Sequence, residues 1–128
     1  MKKEELKYTQ THEWIKIEGD TGIVGVTDYA QQQMGDIVFV DLPKVGLKLE
    51  KEKQACVVES VKSAFDIYSP VSGEVSEVNN SLSNDPAKIN QDPYGEGWIF
   101  KIKISNPSEA NSLMSYSQYE EFLKKQSH

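Results

Sequence analysis

At 128 residues the chain is long enough to bury a real core and is expected to form one domain over residues 1–128. Its 14 basic and 20 acidic side chains leave a net charge of −6, which argues against a nucleic-acid binder, since that needs excess Lys and Arg for phosphates. The single cysteine, Cys56, excludes an intramolecular disulfide, and with only the distant His12 and His128 beside it there is no metal-binding pattern.

The chain opens Met1-Lys2-Lys3-Glu4-Glu5-Leu6, mixed in charge and without an apolar centre, unlike a secretory signal or an Arg-rich transit peptide. No apolar run approaches the roughly 18 residues of a membrane span. A cytoplasmic protein without a membrane partner is expected. In residues 7–18, Trp14, Lys16 and Glu18 alternate with Ile15 and Ile17, the period of a strand. Gly19-Asp20-Thr21-Gly22 turns the chain into a second strand, Ile23–Thr27, completing a hairpin. Asp28–Gly35 reads as a short helix, capped by Thr27 or Asp28 and stopped by Gly35. A third strand, Asp36–Pro43, is rich in β-branched residues, and Val45–Glu50 alternates again.

After the charged turn Lys51-Glu52-Lys53 come two β-prone arms, Ala55–Val58 and Phe65–Ser69, around a polar centre holding Lys62. Without Asn-Gly or Asp-Gly, a two-residue primed turn is not expected there, and a longer loop on a type I turn fits better. Lys62 then projects into water near the tip. Cys56, in an apolar arm, reads as a small buried hydrophobe. Gly73–Val78 alternates as a surface strand. Residues 79–90 read as a loop with one helical turn from Pro86, residues 92–97 as a turn-rich connector, and Trp98–Ile104 as the last strand. Asn106-Pro107-Ser108-Glu109 predicts a capped helix start, Ser117-Gln118-Tyr119-Glu120 a second, with a terminal helix through Lys125 and a frayed Gln126–His128. Many short strands between Gly- and Pro-bearing turns favour a small sandwich or barrel with peripheral helices.

The stretch Glu59-Ser60-Val61-Lys62-Ser63-Ala64, followed by Ser69-Pro70-Val71-Ser72-Gly73-Glu74-Val75, resembles the lipoyl-attachment hairpin of the glycine cleavage system H-protein family. The resemblance covers about residues 8–123. It includes His12-Glu13-Trp14, Gly25-Val26-Thr27-Asp28-Tyr29-Ala30-Gln31, Gly35-Asp36-Ile37-Val38-Phe39-Val40, Leu42-Pro43, Val45-Gly46, Asn90 and Asp92-Pro93-Tyr94-Gly95-Glu96-Gly97-Trp98. Simple lipoyl domains usually have Asp before and Ala after the lysine, and biotin carriers Met on both sides; here Val61 and Ser63 flank it.

That resemblance implies a mainly β barrel-sandwich hybrid of two small antiparallel sheets, with a core at about 8–105 and a C-terminal helical segment at about 107–125. It implies lipoic acid in amide linkage on Lys62, in a monomeric carrier with no catalytic group of its own. The implied partners are glycine decarboxylase (P protein), the tetrahydrofolate-dependent aminomethyltransferase (T protein), dihydrolipoamide dehydrogenase (L protein) and a lipoate ligase or lipoyl/octanoyl transferase. In the family, acids at the positions of Glu13 and Asp66, with a hydroxyl at that of Thr11, help hold the loaded arm in a cleft; as surface carboxylates, Glu13 and Asp66 would need no such role. Gln33 stands where some members carry histidine, and Gln54 where a small or apolar residue is common. Trp14 and Trp98 are expected to pack, and Gly25, Gly35 and Gly73 to serve the backbone. Two other readings stay open: a relay handing lipoate or octanoate to other lipoyl domains, and an unmodified interaction domain of the same fold.

Overall fold

The computed structural model describes residues 2–126. Strands β1 (Lys7–Tyr8), β2 (Glu13–Glu18), β3 (Thr21–Val26), β4 (Ile37–Asp41), β5 (Lys48–Leu49), β6 (Gln54–Ser60), β7 (Ala64–Tyr68), β8 (Gly73–Val78) and β9 (Phe100–Ile104) make two sheets. One has the order β1-β2-β3-β9-β8-β5 and the other β4-β6-β7, with antiparallel pairing throughout and neither closed into a barrel. Helices α1 (Asp28–Met34), α2 (Ser81–Asn84), α3 (Lys88–Gln91) and α4 (Tyr116–Gln126) lie at the edges, with tight 3-10 turns at Lys3–Glu5 and Pro107–Ser112.

The main core fills the space between the sheets with Ile15, Val24, Val58, Ile67, Val75, Phe100 and Ile102. A second cluster, Leu6, Tyr8, Trp14 and Tyr119, forms where α4 covers the other face of β1 and β2. Trp14 and Ile15 are neighbours on opposite faces, yet both are fully buried. Alternation there separates two cores rather than core from water. Trp14 lies across Gly25, its register partner, so close that a Cβ at Gly25 would meet the indole at 2.6 Å. The indole N–H donates to the Pro93 carbonyl at 3.0 Å, satisfying a polar group in a dry place.

Helix α1 begins as its sequence predicts, with Thr27 Oγ1 accepting the Ala30 N–H at 3.1 Å. Gly35 ends it at φ 81°, a conformation open to glycine. Other expectations are corrected. Upstream of Glu13 the strand pattern is interrupted, because the chain turns over Thr9–His12 with His12 at φ 72°. Residues 79–90 contain two helical turns, α2 and the start of α3, and the Val45–Glu50 alternation yields only the two-residue β5. Asn106 makes no side-chain cap; Glu109 instead accepts from the N–H and hydroxyl of Ser72, at 2.8 and 2.9 Å. The reciprocal cap of α4 sits two residues before the predicted one. The Ser115 N–H donates to Gln118 Oε1 at 2.8 Å, and the Gln118 N–H to Ser115 Oγ at 3.3 Å. Gln126 closes α4, while the fraying expected of Ser127 and His128 falls outside the described residues.

Candidate functional site

Strands β6 and β7 form the hairpin that carries Lys62, joined by the three residues Val61, Lys62 and Ser63. A three-residue loop matches the expectation of something longer than a primed turn. Ser60 organises it. Its N–H donates to the Ser63 carbonyl at 2.8 Å, and its Oγ accepts the N–H groups of Lys62 and Ser63 at 3.1 and 3.3 Å. The Val61 N–H donates to the Asp36 carbonyl at 3.0 Å, tying the tip to the turn between α1 and β4. The backbone of the tip is therefore held while the Lys62 side chain stands in solvent. The ammonium reaches only the Gln33 carbonyl at the end of α1, at 3.5 Å, and no acid lies within ion-pair distance among the described residues.

Along β7, residues 64, 66 and 68 share a face. Ala64 and Asp66 are exposed, and Asp66 accepts from Gln54 Nε2 at 3.1 Å. Next in that row, Tyr68 lines a cavity of about 550 Å³ together with Thr9, Thr11, Glu13, Lys51 and Met114. The structure thus brings Thr11 and Glu13 together in one cavity and leaves Asp66 outside its lining, on the strand that leads there from Lys62.

Glu13 is no surface carboxylate, being only 1% exposed. Its Oε1 accepts from the Thr9 and Thr11 hydroxyls at 2.6 and 2.5 Å, and its Oε2 from the Tyr68 N–H at 3.3 Å. One side chain of β2 therefore fastens the two sheets together. Burial pushes its pKa above the ordinary carboxylate range, and the bonds from Thr11, Thr9 and Tyr68 only partly oppose that. Sequence reasoning missed this burial, although the hydroxyls at Thr9 and Thr11 were a readable signal. Cys56 is buried and its thiol is pushed up to about 12, chiefly by desolvation, so it offers no thiolate to a disulfide nearby.

His12 supports the same turn from the other side. Its Nδ1 lies 2.8 Å from the Tyr119 hydroxyl, which lies 2.8 Å from Thr27 Oγ1, the cap of α1. Burial lowers the His12 pKa. The unfolded chain takes up its proton first, so the His12 contribution to stability is lost as pH falls below about 6.5. Asn tolerates positive φ and can still reach Tyr119. The variant His12→Asn should show a flatter decline of Tm on the acid side of about pH 6.5 than the parent, measured by thermal melts across pH.

Two open antiparallel sheets, with a solvent-facing lysine at the tip of a pinned hairpin, have the architecture expected of a lipoyl-type domain. Comparison with known proteins supplies the family. The sequence model of the glycine cleavage H-protein family matches residues 6–126. The glycine cleavage system H protein of Symbiobacterium thermophilum is 54% identical over 120 residues, 94% of this chain and 94% of that one. That of Xanthobacter autotrophicus is 49% identical over 118 residues, 92% and 94% of the two chains. The crystal structure of a glycine cleavage system H protein from Mycobacterium marinum matches with a TM-score of 0.84 at 35% identity, covering 98% of each chain. This chain belongs to the glycine cleavage H-protein family, the lipoyl carriers of the glycine cleavage system.

Proposed function

We propose that this chain carries its lipoyl group in amide linkage on Lys62 and serves glycine cleavage as a non-catalytic, monomeric, cytoplasmic carrier. The observation behind this is the tip itself: a solvent-exposed lysine on a hydrogen-bonded backbone, its ammonium within 3.5 Å of the Gln33 carbonyl and with no acid in ion-pair distance among the described residues. Lys62 fits the group. Its stem lies over Gly35 and its side chain is exposed. When attached, the lipoyl group supplies a disulfide that accepts a one-carbon amine unit with reduction and is later reoxidised by thiol–disulfide exchange.

This chain's residues tether and shelter. Tethering holds the reactive group at high effective concentration for each enzyme it visits, namely the P, T and L proteins of the system. Thr11 and Glu13 offer an acidic, hydroxyl-bearing cavity for a cationic amine, and Asp66 flanks the way to it. Val61 at the tip and Phe39 on β4, at 68% and 51% exposure, are apolar contacts, and the same sheet carries the carboxylates of Glu59, opposite Phe39, and of Asp41 and Asp66, opposite Val57, a surface suited to transient docking by larger enzymes. A lipoate ligase or a lipoyl/octanoyl transferase would load the amine. The relay reading uses the same lysine and has no observation of its own in its favour.

The test is intact mass, with peptide mapping, of protein made in lipoate-competent cells, followed by glycine–carbon dioxide exchange with purified partner enzymes. A lipoyl increment on the Lys62 peptide and restored exchange are expected. An unmodified chain under those conditions would overturn the reading, whereas modification without exchange would favour the relay.

A further inference from the structure

We propose that Asn90 is a positioning residue for acylation of Lys62, an inference that rests on the carrier reading above. Asn90 lies in α3, far from Lys62 in sequence, and both ends of its amide are engaged. Its Oδ1 accepts the Ile37 N–H at 3.0 Å, and its Nδ2 donates to the Gly35 carbonyl at 2.9 Å and to Gln31 Oε1 at 3.0 Å. The two backbone groups it grips lie on either side of Asp36. The Asp36 carbonyl, held between them, receives the Val61 N–H at 3.0 Å, the bond that fastens the hairpin tip beyond the last β4–β6 pair, Ile37 with Ser60.

Gly35, gripped by the same amide, is also the surface over which the Lys62 stem runs, with Lys62 Cε 3.6 Å from where a Cβ would stand. Gln31 completes the clamp. Its Nε2 donates to Asp28 Oδ1 at 2.8 Å, and its carbonyl accepts the Gly35 N–H at 3.1 Å. One side chain thus sets both the anchor of the tip backbone and the bed of the lysine stem. The β4–β6 ladder places the hairpin only as far as Ser60, and the Ser60 bonds fix only the internal shape of the tip, so where the tip lies beyond that pair falls to the Val61–Asp36 bond. An enzyme that must bring an acyl donor to the amine meets a lysine already in place, and avoids the cost of selecting one tip position from many.

The experiment compares the unmodified full chain with Asn90→Ala and Asn90→Asp. The rate of lipoyl transfer by a purified lipoate ligase with lipoate and ATP is followed by intact mass over a range of carrier concentrations. Amide hydrogen exchange at Val61 is read against Val24 in β3. Asn90→Ala should lower kcat/KM for acylation about tenfold, carried by KM, and speed Val61 exchange by a similar factor without changing Val24. Asn90→Asp keeps the acceptor for Ile37 but loses the donors to the Gly35 carbonyl and Gln31 Oε1 and sets a carboxylate oxygen against both, so it should be slowed at least as much as Asn90→Ala. It also carries the test if the alanine variant does not fold. A lowered Tm with kcat/KM within about twofold of the parent would mean a merely structural role and overturn the inference. Failure of the parent chain itself to be acylated would sink the carrier reading and this inference together. A parent and variants acylated alike would sink this inference alone.

Discussion

Lys62→Arg should give a folded protein that takes no lipoyl group and supports no glycine exchange. The replacement keeps the positive charge and most of the stem, but a guanidinium stays protonated at neutral pH and offers no amine to an acyl donor. Stability should not change, because the parent side chain is exposed and makes one long polar contact, to the Gln33 carbonyl at 3.5 Å, while the arginine stem can still lie over Gly35. The Ser60 bonds and the Val61–Asp36 bond that hold the tip involve no side-chain atom of Lys62 and survive the substitution. Circular dichroism and Tm should therefore match the parent while intact mass shows no increment and exchange falls to background. A lipoyl increment on the arginine variant would place the attachment elsewhere and remove the reason for reading this hairpin as the site.

The hairpin was legible in the sequence because its determinants are local: two β-prone arms around a polar centre. Helix α1 was legible for the same reason, with its cap at Thr27 and its stop at Gly35 adjacent to what they cap. What the sequence hid is set by distant partners. Trp14 is expected to pack, but what it packs against, the return of α4 over β1 and β2, lies far along the chain. Glu109 had the spacing of a capping acid, but Ser72 competes for it across the fold and wins both its oxygens. Ser115 and Gln118 form the reciprocal cap that Ser117 and Glu120 seemed to offer, since both pairs satisfy the same local rule and the anchoring of Tyr8 to Met114 decides where the helix begins. Glu13 is the most instructive case. As a letter it is a charged residue beside polar neighbours, and only the approach of β7, with the Tyr68 N–H, makes it a buried tie between sheets. Asn90 was recognisable as part of a family pattern, yet its three partners lie more than fifty residues away and no spacing rule points to them.

Replacing Glu13 should separate the shape of the cavity from its charge. In Glu13→Ala the Tyr68 N–H and the Thr9 hydroxyl lose their acceptor in a part-buried place, and the tie between sheets is gone; a loss of about 2 kcal/mol is expected, read from urea unfolding. Glu13→Gln preserves the shape. Its carbonyl can accept from Tyr68 while its amide donates to the threonine hydroxyls, which accept as well as donate. Because the folded pKa of Glu13 is raised, its contribution to stability is present in full below about pH 4.5 and is lost as pH rises through the folded value. The glutamine variant escapes that loss, so it should be as stable as the parent at acid pH and more stable at neutral pH. The charge that weakens the empty fold is the one a cationic amine in the cavity would need. Once such an amine is lodged there the carboxylate has a counter-ion, and its ionised form is favoured. Both variants should therefore release formaldehyde and ammonia from the loaded carrier faster than the parent, the glutamine variant despite its greater stability. Equal release rates for the parent and Glu13→Gln would show that the cavity protects by enclosure alone and that the buried carboxylate serves only to join the sheets.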